Sequence, residues 1–102
     1  MKKTVLGFSA FLLTGLFSLP AGASEYGILV EDTGVEEVYG YCSACHSERI
    51  VAQQGLSRES WIELLDWMVE EQGMAEIEEP DFSLVIDYLS KNYNTDRPNF
   101  PN

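Results

Sequence analysis

The chain has one histidine, two cysteines and six basic residues among its 102, and each scarcity excludes something. A structural zinc site takes four protein ligands, mostly Cys and His. Only Cys42, Cys45 and His46 are on offer, all within one turn. Six basic residues against 17 acidic ones argue against nucleic acid and anionic lipid, which need a basic face. No apolar run reaches the ~20 residues of a membrane span. The longest covers residues 5–19 and is diluted by Gly7, Ser9, Thr14, Gly15 and Ser18. No stretch around the cysteines alternates apolar and polar residues as a half-buried strand would, and there is no internal repeat.

What is there begins with a leader. Lys2 and Lys3 precede the apolar run, and Ala21-Gly22-Ala23 follows as a small-x-small cleavage site. Residues 1–23 are therefore expected to be a secretory signal peptide, cut after Ala23. No cysteine follows closely enough to carry a lipid, so no membrane anchor is expected after cleavage, and the expected location is a bacterial periplasm. Residues 24–102 then make one small domain of 79 residues. A core of that size is marginal and usually needs a staple. Loss of Lys2 and Lys3 leaves four basic residues against 17 acidic ones, a net charge of −13. Such a surface suits steering towards a positively charged protein partner, or it serves solubility alone.

Cys42-Ser43-Ala44-Cys45-His46 is a C-x-x-C-H pentad, the signature of covalent haem attachment. Two thiols at this spacing can add to the two vinyl groups of one haem, and the adjacent imidazole can reach the iron. Export fits, because haem is joined to such chains outside the cytoplasm. A redox-active C-x-x-C normally accompanies a βαβ pattern, which is missing. A plain disulfide would leave His46 without a role. A covalently held haem would be the staple, so the haem-free chain is expected to be largely unfolded.

Residues 24–32 have no clear period and are expected to be an extended N-terminal arm, mobile or held by a partner. Thr33 and Glu36 fit a capping box, with Val35, Val38, Tyr39, Cys42 and Cys45 following at helical spacing. A first helix is thus expected from about residue 34 into the pentad, with Val38 and Tyr39 packed on the last helix. Residues 47–56 are expected to be a loop over one haem edge, with Arg49 either solvated or paired with a propionate. Ser57 is a good N-cap for a helix over 58–72. Trp61, Leu64, Leu65 and Met68 share one face of it, broadened by Ile62, Trp67 and Val69. Each tryptophan is either a haem contact or core. Gly73 is a stop signal. Met74, just past it, is the expected distal ligand, because a loop can be shaped around the iron. Met68 is its competitor, placed where methionine more often fills core. The last helix is expected from Asp81, as N-cap, to about 92–94, with Phe82, Val85, Ile86, Leu89 and Tyr93 as its stripe. Pro98 and Pro101 stop any continuation.

Helix into C-x-x-C-H, loop, helix, methionine and final helix together resemble class I c-type cytochromes over nearly all of residues 24–102. The resemblance implies an all-α domain, three main helices around one covalent haem c. It implies thioether bonds at Cys42 and Cys45, His46 as proximal ligand and Met74 as distal ligand. Two features depart from the class. His46 and Met74 are only 28 positions apart, and no proline soon after His46 offers a carbonyl to its ring. A narrower set of stretches is similar to the monohaem cytochrome subunit of bacterial sulfite dehydrogenases. They are Cys45 to Arg49, Gln53 to Arg58, Trp61, Leu65, Trp67-Met68, Gln72-Gly73-Met74 and Tyr93 to Pro101.

The expected organisation is a signal peptide at 1–23, an arm at 24–32, a cytochrome c domain at 33–94 and a tail at 95–102. The resemblance implies an electron-transfer protein with no catalytic residue of its own. Its donor would be a molybdenum-cofactor subunit that oxidises sulfite, docked with the tail's help in a heterodimer or higher assembly. Its acceptor would be a soluble cytochrome or a terminal oxidase. Two rivals remain: a free-standing carrier without a dedicated partner, and a haem sensor or peroxidase-like protein with an open distal site.

Overall fold

The computed structural model describes residues 25–97. The expected signal peptide with its cleavage after Ala23, and the end of the tail with Pro98, Phe100 and Pro101, lie outside the described residues. Among the described residues the architecture is all-α. The helices are α1 (Val35–Cys42), α2 (Glu48–Ala52), α3 (Arg58–Glu71) and α4 (Asp81–Asn92). None is long and apolar enough to cross a membrane.

The central element is α4. Its stripe puts Val85, Ile86, Tyr88 and Leu89 in the core, and both α1 and α3 pack on it. Val35, Val38 and Cys42 come in from α1, and Trp61 and Leu65 from α3. Tyr39, expected against the last helix, is half-buried at the core's edge with its ring edge-on to Tyr26, 5.8 Å away.

The helix ends follow local chemistry, with two corrections. The capping box of Thr33 and Glu36 does not form. Gly34 is the N-cap of α1, at φ +98°, with no side-chain cap. A Cβ there would lie 2.7 Å from the Leu84 carbonyl oxygen, so α1 can start this close to α4 only at a glycine. Asp81 is likewise the first residue of α4 rather than its N-cap, a position held by Pro80. The Asp81 carboxylate accepts instead from the Tyr41 hydroxyl at 2.8 Å, which ties α1 to the head of α4. Ser57 caps α3 as expected, accepting from the Ser60 amide.

Residues 47–56 are not all loop. Ser47 accepts from the Arg49 amide and starts α2, which buries Val51. The arm is not extended either. Leu29 is 4% exposed, the Tyr88 hydroxyl donates to the Val30 carbonyl at 2.6 Å, and the Val30 amide donates to the Tyr93 hydroxyl at 3.1 Å. Asp32 meets Lys91 at 2.9 Å and accepts from the Asn92 amide group at 3.1 Å.

Tyr93, just past α4, joins four parts of the chain. Besides holding the arm, its carbonyl accepts from the Leu56 amide and from the Trp61 indole, both at 2.9 Å. Arg97, in the expected tail, lies over its ring and donates to the carbonyls of Ala52 and Gln54.

Candidate functional site

An apolar recess of about 510 Å³ opens beside the pentad, within the range of small-molecule and cofactor sites. One end is the pentad, with Tyr41, Cys42, Cys45 and His46. Ile50, Val51 and Gln54 come from α2 and the turn after it. From α3 come Trp61, Leu64, Leu65, Trp67 and Met68. Gln72, Met74 and Leu89 of α4 complete the lining. No Asp, Glu, Lys or Arg lines it, so a ligand there exchanges water for hydrocarbon, aromatic rings and sulfur.

The expected site residues Cys42, Cys45, His46 and Met74 therefore meet at one cavity, and Met68 meets them there. Among the described residues no group of three His, Cys, Asp or Glu side chains gathers where a single ion could sit.

The two cysteines are free thiols of unlike character. Cys42 ends α1 in the core, and burial, helped by the nearby Cys45 thiol, pushes its pKa up to about 11. Cys45 is exposed. The half-buried His46 has Nδ1 3.1 Å from the Ser47 carbonyl oxygen. Donation from Nδ1–H to that carbonyl leaves Nε2 with its lone pair for a metal. The Ser47 hydroxyl fixes that peptide by capping α2.

Both methionines are half-buried against the core. Met68 is held by the helix. Met74 follows Gly73, whose φ of +76° turns the chain back, and its amide donates to the Met68 carbonyl at 3.0 Å.

Sequence periodicity had marked the α3 side of the cavity, and both tryptophans reach it. Trp61 is 2% exposed and has its indole N–H satisfied by Tyr93. Arg49 is exposed and does not line the cavity. Ile50, Gln54 and Gln72 were not foreseen. Ile50 lies in a helix of five residues, too short for a period to show. Gln54 and Gln72 sit just past helix ends, where no pattern selects them.

Comparison of the chain with protein-family models, curated proteins and solved structures gave no match.

Proposed function

We propose that the protein is a monohaem cytochrome c, exported to the periplasm, that passes single electrons between protein partners. The observation that carries this is the convergence of the C-x-x-C-H side chains and a methionine thioether on one apolar cavity. The donor set fits. Two free thiols lie close along the chain, one imidazole nitrogen is left open by the hydrogen bond on the other, and methionine sulfur belongs to the same lining.

Cys42 and Cys45 would hold the haem by thioether bonds, with His46 as proximal ligand and Met74 as distal ligand. The haem would supply a one-electron couple, which histidine–methionine ligation sets high. The chain's own residues do the rest. Trp61, Leu65 and Leu89 exclude water, the Ser47 carbonyl orients His46, and the Gly73 turn directs Met74. His46 and Met74 together would leave a substrate no place at the iron, and no bond chemistry is assigned to any residue.

The proposed electron donor is a molybdenum-cofactor subunit of the sulfite dehydrogenase type, and the acceptor a soluble cytochrome or terminal oxidase. The resemblance of the stretches around His46, Gly55, Trp67, Met74 and Asn94 supports that choice.

The test is the visible spectrum of protein matured with haem-attachment machinery, for wild type, Met74→Ala and Met68→Ala. Expected is the weak far-red band of sulfur-to-iron ligation in oxidised wild type and Met68→Ala, and its loss in Met74→Ala alone. Immediate carbon monoxide binding by wild type would refute the carrier and favour an open-site sensor.

A further inference from the structure

Trp67 lines the proposed haem cavity and is 51% exposed. Ile50 also lines it and is 47% exposed. On α3, Glu63, Glu70 and Glu71 stand four before, three after and four after Trp67, the positions at which side chains on a helix are neighbours. All three glutamates are exposed and none is ion-paired among the described residues. The one cation of α3, Arg58, is taken by Asp87 and Ser90 of α4. The face is an indole flanked along the helix by uncompensated carboxylates.

We infer that Trp67 with Glu63, Glu70 and Glu71 is the docking face for a partner protein whose surface carries clustered Lys and Arg around an apolar recess. Tryptophan is the residue type that most often anchors an interface, and a guanidinium can stack on its face. The carboxylates would steer the encounter and fix its orientation. A second copy does not fit, because two faces of the same negative charge repel. The inference rests on the electron-carrier reading and names the partner's chemistry: docking on Trp67 brings the partner onto the cavity wall.

The experiment uses the full, matured and reduced chain, labelled with nitrogen-15, titrated with reduced lysine-rich mitochondrial cytochrome c as the probe. The two indole N–H resonances carry the result. Trp61 is buried and bonded to Tyr93 at 2.9 Å, so it serves as the internal reference. Expected is a saturable shift of the Trp67 resonance with Trp61 unmoved, reversed at high salt. A Glu63→Lys/Glu70→Lys/Glu71→Lys variant should weaken binding at least tenfold. A Glu25→Lys/Glu31→Lys/Glu36→Lys variant, with the same net charge, should change it less than twofold. Equal shifts of both indoles, no shift of either, or equal effects of the two triple variants would overturn the inference. The visible spectrum of the same samples reports separately on the carrier reading. Failure of reversible one-electron reduction would remove that reading, while the indole comparison would still decide the docking face.

Discussion

The backbone amide of Met74 donates to the carbonyl oxygen of Met68 at 3.0 Å, and the Gln72 amide donates to the same oxygen at the same distance. The two rival thioethers therefore belong to one rigid turn at the end of α3, and what separates them is the conformation of Gly73. A Cβ at Gly73 would meet nothing within 4 Å, so its only cost is the left-handed backbone. Gly73→Ala should lower stability by about 1–2 kcal/mol in a denaturant melt and weaken the far-red sulfur band, as Met74 leaves its turn.

Gly34→Ala should do more harm. That glycine combines φ +98° with a Cβ position 2.7 Å from the Leu84 carbonyl oxygen and 3.0 Å from the Tyr88 Cβ. Conformational cost and overpacking together come to about 2–4 kcal/mol. Urea unfolding measures it, and a loss below that of Gly73→Ala would contradict the close α1–α4 contact.

Acid should release the arm. Asp32 is held well below its ordinary 3.8, at about 2, first by hydrogen bonding from Lys91, then from Asn92 and the Thr33 amide. A carboxylate with a depressed folded pKa stabilises the fold above its unfolded pKa and loses that contribution as pH falls through the folded value. The stability gap between wild type and Asp32→Asn should be constant above pH 5 or so and close between about pH 4 and pH 2. Urea midpoints at a series of pH values measure the gap. A gap that widened on acidification would reverse the sign.

Ser47→Ala tests the link between a helix cap and the proposed iron ligand. Loss of the bond to the Arg49 amide should cost about 0.5–2 kcal/mol. The peptide whose carbonyl holds His46 loses its anchor with it. The redox potential of the proposed haem protein should therefore shift, and Ser47→Thr, which can still cap without adding a charge, should restore it. Equal potentials in all three would leave Ser47 as a cap only.

Blocking the proposed haem attachment should remove the fold. A Cys42→Ala/Cys45→Ala chain would leave the recess of about 510 Å³ unfilled in a domain too small to tolerate it. Thermal scans should show no sharp transition, and a cooperative melt would show that the helices stand without the ring.

The three longer helices were legible because each is long enough for its apolar spacing to repeat. Ser57 was legible as a cap because nothing in the tertiary structure competes for it. Thr33 offered the same local signal and lost, since the approach of α4 demands a glycine at the cap itself. The arm was illegible for another reason: its partners, Tyr88 and Tyr93, lie about sixty residues further on, and no local pattern announces such bonds. At the site, the pentad and both methionines carry their chemistry in their residue type. The Ser47 carbonyl does not, because a main-chain oxygen is common to every residue and only the fold aims it.

The position of Tyr93 has a consequence for how the protein is made. Bonds from the arm, from the turn at Leu56 and from the Trp61 indole meet on this one residue. A chain synthesised from its N-terminus cannot close around them until residue 93 has emerged. Throughout that interval Cys42, later sealed in the core with a thiol too weakly acidic to react readily, is still open to solvent. The order of synthesis thus puts the pentad outside any finished core until the last helix is made, and the closing of the fold removes Cys42 from solvent.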